Sequence, residues 1–193
     1  VGKTQVCKEI SRLMGPLLDY RFLQVNMAEY NTKEAVDKLI GVGRGYEESE
    51  FGGILTEPIR LHPRHIILLD EVDDGHASVF RLCLKIFDGK ITDGRGREIN
   101  FNECIVIMTT NKGMLEEAVS KEDEREKIER KLIEYGKSKS EKDVEIQRFD
   151  TAFLGRIDEI IPFQSLTPSN LAEIGKNYFR RRIGGPYKTH LGI

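Results

Sequence analysis

Four consecutive apolar residues, Ile66-Ile67-Leu68-Leu69, follow His65 and end at two adjacent carboxylates, Asp70 and Glu71. An unbroken apolar run this short reads as a strand buried on both faces, as in a parallel sheet. That one feature points to an α/β architecture. Open α/β sheets bind ligands at the carboxyl ends of their strands, where Asp70 and Glu71 stand. One such acid can hold Mg²⁺, directly or through its waters, while its neighbour polarises a nucleophilic water. Taken alone, the pair is equally an ordinary strand end with two solvated acids.

The first four residues, Val1-Gly2-Lys3-Thr4, change that balance. Gly2-Lys3-Thr4 opens an amphipathic helix in which Val6, Ile10, Leu13 and Met14 recur at helical spacing, with a stop expected at Gly15-Pro16. The phosphate-loop pattern G-x-x-x-x-G-K-[ST] needs a glycine five residues before Gly2, so only its second half is in view. A lone G-K-T is also a plain helix start. Its place ahead of a helix, about 65 residues before an apolar strand ending Asp-Glu, favours nucleotide binding. Lys3 would neutralise the β- and γ-phosphates, Thr4 would put its hydroxyl on Mg²⁺, and the helix N-terminus would supply backbone donors.

Residues 22–26 read as a second strand and residues 33–40 as a helix. A glycine-rich loop follows from Gly41 to Gly53, carrying Tyr46 and Phe51. Spacing alone makes Tyr46 a loop tyrosine packed on its own domain. Residues 54–61 form a short helix before the central strand, and residues 76–87 a helix apolar on most faces. Residues 90–101 read as a β-hairpin turning at Asp93-Gly94 or between Gly94 and Gly96. Residues 104–108 are another buried strand, ending in Thr109-Thr110-Asn111 on the same edge as Asp70 and Glu71. There Asn111 would bond the attacking water or the γ-phosphate, or else cap a turn.

From residue 112 to 147 the composition turns to charge, with i,i+4 pairs and a narrow apolar stripe of Leu115, Ile128, Leu132 and Ile133. This reads as a solvated helical excursion, with a loop over residues 136–142. Phe153-Leu154-Gly155-Arg156-Ile157-Asp158 leads to an expected last strand over residues 159–163. Thr167 or Ser169 would cap a helix running to about Arg182.

Composition narrows the function classes. The net charge of −2 gives no electrostatic argument for a nucleic-acid partner. No apolar run approaches the ~18 residues of a membrane span, and Lys3 and Lys8 lead into an amphipathic segment rather than a secretory one. Cys7, Cys83 and Cys104 are odd in number and set in apolar surroundings, so they read as buried thiols in a reducing compartment. The cytoplasm or an organelle matrix is expected.

With these residues placed, the chain resembles the Clp-type AAA+ ATPases, in particular the second ATPase module of ClpA, ClpB and ClpC. The likeness runs in one register through Leu39-Ile40-Gly41, Gly45-Tyr46, Phe51-Gly52-Gly53, Leu55-Thr56-Glu57 and Leu68-Leu69-Asp70-Glu71. It continues through Val79-Phe80, Ile91-Thr92-Asp93-Gly94, Gly96-Arg97, Phe101, Ile107-Met108-Thr109-Thr110-Asn111 and Gly155-Arg156-Ile157-Asp158-Glu159. The resemblance implies a three-layer P-loop AAA+ domain with a mostly parallel sheet over residues 1–165, and the start of a helical lid over 166–193. It implies a homo-oligomeric, usually hexameric ring that hydrolyses ATP with Mg²⁺ and pulls unfolded or aggregated polypeptide through its pore. A peptidase or adaptor is a possible further partner.

By that resemblance Val1, Gly2, Lys3, Thr4 and Asp70 bind the nucleotide, with Thr4 and Asp70 toward the metal. Glu71 activates water, Asn111 is sensor 1, and Arg156 is an arginine finger for the neighbouring subunit rather than a partner of Asp158 or Glu159. Tyr46 becomes the pore-loop aromatic that grips substrate. Three departures stand out. The usual Gly-Tyr-Val-Gly is Gly45-Tyr46-Glu47-Glu48, Asn-Arg-Ile-Asp is Gly155-Arg156-Ile157-Asp158, and the charged stretch 112–147 has no counterpart in the family pattern. The family's first strand, which lies between those at 104–108 and 159–163, and the sensor-2 part of the lid fall outside the sequence. A gap in the sheet is therefore expected, and no ATP turnover by these residues alone. Two other functions stay open: an AAA+ protein that assembles partners without threading, supported by Glu47-Glu48, and a nucleic-acid remodeller, which the charge balance disfavours.

Overall fold

The central strand forms as read. β2 (His65–Asp70) has Ile66, Ile67, Leu68 and Leu69 no more than 2% exposed, and it lies between two parallel neighbours. Burying each such side chain stabilises the fold by about 1.5–3 kcal/mol relative to leaving it in water. The computed structural model describes residues 2–43, 52–112, 121–138, 148–163 and 167–179. By internal contacts the chain divides into a unit over Gly2–Ile160 and a second over Ile161–Ile193.

In the first unit, α1 (Lys3–Leu18) leads to β1 (Arg21–Asn26), and α2 (Lys33–Ile40) starts from Thr32, whose hydroxyl accepts from Ala35 N. α3 (Thr56–Leu61) precedes β2. After β2 come α4 (Ser78–Phe87), the antiparallel pair β3 (Lys90–Thr92) and β4 (Glu98–Asn100), and β5 (Ile105–Met108). The parallel sheet has the order β1-β2-β5, with Asn26 level with Asp70 and Met108 level with Leu69. That register brings three strand ends to one edge. Val79, Phe80, Leu82, Cys83 and Ile86 of α4 are buried, as the all-round apolar pattern required.

α5 (Lys121–Ser138) buries Ile128 and Leu132, and α6 (Thr151–Leu154) buries Phe153 and Leu154 behind an Asp150 cap. Phe80, Phe149 and Phe153 stack edge-on or tilted within 4.8–5.9 Å of one another, which fastens α6 to α4. In the second unit, α7 (Pro168–Phe179) has Thr167 as its cap, the hydroxyl accepting from Asn170 N at 3.2 Å. Among the described residues no helix is long and apolar enough to cross a membrane.

Four expectations change. α1 does not stop at Gly15-Pro16 but runs through Pro16 to Leu18. Proline removes one hydrogen bond without ending the helix, and Asp19 closes it instead in a left-handed conformation, donating its N–H to Gly15 O. Residues 136–138 are the last turn of α5 rather than a loop. Residues 159–163 are not a strand. β5 has no second neighbour among the described residues for that segment to pair with, and Pro162 lacks a ladder N–H. The three described strands are contiguous, and among the described residues β5 lacks a second neighbour on the side where the gap was expected, between residues 104–108 and 159–163. Cys104 is half-buried rather than buried, although Cys7 and Cys83 are fully enclosed.

Candidate active site

Strand register alone puts Asp70 beside Thr109, because Leu69 pairs with Met108 one residue earlier on each strand. The structure bonds them: Thr109 Oγ1 donates to Asp70 Oδ1 and accepts from Glu71 N at 2.9 Å. Thr109 O also accepts from Val72 N at 2.9 Å. Three hydrogen bonds through two atoms of one residue thus hold the turn that leaves β2. Glu71 needs that support, since its φ of 56° and ψ of 51° lie in the left-handed region. A bulky side chain there costs on the order of 1–2 kcal/mol. Such strain persists only where surrounding contacts enforce it, and it fixes where the Glu71 carboxylate starts.

Asp70 collects two further donors. Thr4 Oγ1 lies 3.2 and 3.1 Å from its two carboxylate oxygens, and Gln24 Nε2 donates to Oδ2 at 3.1 Å. With the Thr4 hydroxyl donating to Asp70, its oxygen's lone pairs remain free for a cation. Lys3 Nζ donates to Asn111 Oδ1 at 2.6 Å and to Thr110 O at 2.7 Å. Among the described residues no carboxylate lies within ion-pair distance of Lys3. Asn111 N in turn reaches toward the buried Asp73 carboxylate at 3.4 Å.

Beside these groups the helix start is bare. Gly2 (φ 98°) precedes α1 with no side-chain cap, no acid occupies the first turn, and among the described residues nothing lies within 4 Å of where a Gly2 Cβ would stand. An uncapped helix N-terminus next to a lysine favours an anion. Burial, with the charge of Asp70 second, raises the Cys7 thiol above its usual range, so it stays protonated and donates to Lys3 O at 3.3 Å.

These residues fit a magnesium–nucleotide complex. Among the described residues no three His, Cys, Asp or Glu side chains gather to cage a metal. Thr4 and Asp70 offer a partial oxygen set. Mg²⁺ suits such a set, because it keeps several waters and takes phosphate oxygens for the rest.

The structure therefore brings together Gly2, Lys3, Thr4, Asp70, Glu71 and Asn111. Arg156 stands apart from them. Its guanidinium is 42% exposed, 3.2 Å from Asp88 Oδ1 and 3.3 Å from Ala152 O. Asp158 and Glu159, the neighbours that the alternative reading offered as ion-pair partners, give way to Asp88 across the α4 end. Val1 and Tyr46 lie outside the described residues, as do Glu47 and Glu48. Thr109 and Gln24 were not foreseen. The register of β5 against β2 is the signal for Thr109, and Gln24 shows only as a polar residue within an apolar strand.

A helix that opens on Lys-Thr at the carboxyl edge of a parallel sheet, facing strand-end acids, defines a P-loop ATPase domain. Comparison with known proteins carries this further. Residues 1–160 match the AAA domain (Cdc48 subfamily), and the chain belongs to that family, as the Clp-type resemblance implied. It is 37% identical over 180 residues to chaperone protein ClpB of Bdellovibrio bacteriovorus, covering 91% of this chain and 19% of that one. To the mitochondrial chaperone protein ClpB4 of Arabidopsis thaliana it is 35% identical over 189 residues, covering 94% and 19%. To ClpB of Rickettsia conorii it is 37% identical over 180 residues, covering 91% and 20%. The chain spans about a fifth of the length of these relatives.

Proposed function

We propose that the protein carrying this chain binds ATP with Mg²⁺ at the carboxyl edge of β1-β2-β5 and hydrolyses it to unfold or disaggregate other proteins. The observation that supports this best is the double convergence of Lys3 on Asn111 and Thr4 on Asp70. Lys3 and the α1 N-terminus, with Val1 and Gly2, cradle the phosphates. Thr4 and Asp70 hold Mg²⁺, which when bound offsets charge on the phosphoryl oxygens. Glu71 takes the proton of the attacking water as general base, and Asn111 orients that water or the γ-phosphate. Arg156, exposed and away from its own cluster, suits a finger that stabilises charge in a neighbouring subunit's site.

By the Clp-type resemblance it assembles into a hexameric ring, with Tyr46 gripping polypeptide in the pore; relatives named as chaperones, one of them mitochondrial, support the chaperone role and a place in the cytoplasm or an organelle matrix. Residues 1–165 form the large α/β part and 166–193 the start of the helical lid. A second reading rests on Glu47-Glu48 beside Tyr46, which place two charges where an apolar grip is expected. In it, nucleotide drives assembly with partners and nothing is threaded.

One experiment separates the two. Glu71→Gln in the whole protein retains ATP binding, loses turnover by about 10²–10⁴-fold and traps a labelled unfolded substrate. Lys3→Ala loses ATP binding, and Tyr46→Ala loses the trapping alone. Hydrolysis without trapping, indifferent to Tyr46→Ala, selects the assembly reading. Unchanged turnover in Glu71→Gln rejects both.

A further inference from the structure

The charged stretch that sequence patterns left without a role becomes α5, and α5 touches both ends of the proposed mechanism. Near its start, Arg125 spreads its guanidinium over two successive carbonyls: Nη2 donates to Ile157 O at 2.9 Å and Nη1 to Asp158 O at 3.0 Å. Nε donates to Glu129 Oε1 at 2.9 Å, one helical turn on, which holds the fork in its plane. The two carbonyls belong to the residues immediately after Arg156. Near the other end of α5, the Tyr135 hydroxyl reaches Asp73 O at 3.5 Å, and Lys112 Nζ sits 5.2 Å above its ring. Asp73 is the buried acid facing Asn111 N, and Lys112 Nζ lies 3.8 Å from its carboxylate.

Between these contacts the helix is anchored. Ile128 and Leu132 are buried in the core, and Gly136 packs so closely on Arg148 that a Cβ there would lie 1.8 Å from Arg148 O. Ten residues of α-helix between Arg125 and Tyr135 span about 15 Å as one stiff rod. On its N-terminal side Arg156 is fixed by α6, whose Phe153 and Leu154 are buried. On its C-terminal side no strand forms. There Arg125 donates to the Ile157 and Asp158 carbonyls, while Ile157 N donates back to Leu154 O at 3.1 Å, and Ile157 and Ile160 are only partly buried. A planar fork on two carbonyls sets the direction of a peptide in a way a point charge does not.

We propose that α5 is a strut coupling the Asn111 end of β5 to Arg156, with Arg125 the positioning residue that sets Arg156 toward the neighbouring nucleotide. This rests on the roles given above to Asn111 and Arg156. Movement of Asn111 on loss of the γ-phosphate reaches Asp73, then Tyr135, and travels along α5 to the two carbonyls behind Arg156.

The test compares Arg125→Met, Arg125→Lys, Arg156→Ala and the Arg125→Met/Arg156→Ala pair in the whole protein. Arg125→Met is expected to lower kcat for ATP by about ten- to a hundredfold, with KM and nucleotide affinity within about twofold. Its melting temperature stays at the wild-type value, Arg125→Lys recovers part of the rate, and the double variant is no slower than Arg156→Ala. Wild-type turnover in Arg125→Met, with Arg156→Ala inactive, overturns the strut and leaves the finger standing. Wild-type turnover in Arg156→Ala removes the finger itself, and the strut with it. A loss in Arg125→Met that comes with a lowered melting temperature and weakened nucleotide binding makes Arg125 a structural residue and overturns the proposal.

Discussion

Thr109 shows how much of the site one small side chain holds. Its hydroxyl donates a hydrogen bond to Asp70 and accepts one from the Glu71 amide, and its carbonyl accepts one from the next amide along. Thr109→Val keeps the shape and removes both hydroxyl bonds, leaving a partly buried amide without its acceptor. The expected cost is about 1–3 kcal/mol in urea unfolding, together with a lower kcat as Glu71 leaves its left-handed corner. Equal stability and equal kcat would show that the corner does not depend on Thr109. Asp70, Glu71, Lys3, Thr4 and Asn111 were each legible from residue type and order. Thr109 was not, because its role depends on which strand lies beside which, and β5-on-β2 pairing is a fact of three dimensions.

At the scale of elements, the glycines and polar pairs of the middle region acquire a common reason. An added Cβ on Gly53 would fall 2.4 Å from Ile40 C, and one on Gly94 would fall 2.3 Å from Gly41 O. Three chain segments therefore meet backbone to backbone at the stem of the stretch that carries Tyr46. Across this junction Glu57 of α3 binds Arg60 at 2.6 Å and Arg97 at 2.8 Å, and Arg97 also binds the buried Asp93. The Arg60 hydrogen bond first, and Arg97 after it, bring the Glu57 carboxyl down to about 2. A depressed carboxyl stabilises the fold above its unfolded value near 4.3, and that stabilisation is lost as pH falls through about 2. Its size is on the order of 1 kcal/mol, since solvent screens a pair that is partly exposed. Glu57→Gln should flatten the fall of the urea midpoint between about pH 4.5 and pH 2. An unchanged slope would mean that the pairing does not persist in solution. Sequence marked Gly53 as loop and Gly94 as a hairpin turn but neither as a junction, since close approach leaves no trace in spacing. It likewise named residues 159–163 a strand from their apolar content, where a strand requires a partner.

For the whole molecule, the parallel sheet, the helix order and the placement of acids at one edge were readable in advance, because apolar runs and glycine punctuation dictate them locally. The charged helix α5 was readable only as a solvated helix. Its two buried residues and its grip on the chain behind Arg156 come from packing that a mixed-charge run does not reveal. Arg156 is exposed and held on the surface by Asp88; if it acts on a neighbouring copy, as proposed, ATP turnover by the whole protein should rise with protein concentration. All of this rests on one claim: Lys3, Thr4, Asp70, Glu71 and Asn111 form a single seat for a triphosphate and its magnesium. The most direct measurement is a structure of the whole protein with Glu71→Gln, bound to ATP and Mg²⁺. The expected result has Lys3 Nζ turned from Thr110 and Asn111 to the phosphates, the Thr4 hydroxyl on the metal, and residue 71 beside a water in line with the γ-phosphate. Nucleotide seated away from Lys3, or a metal that leaves Thr4 and Asp70 bonded only to each other, would contradict it.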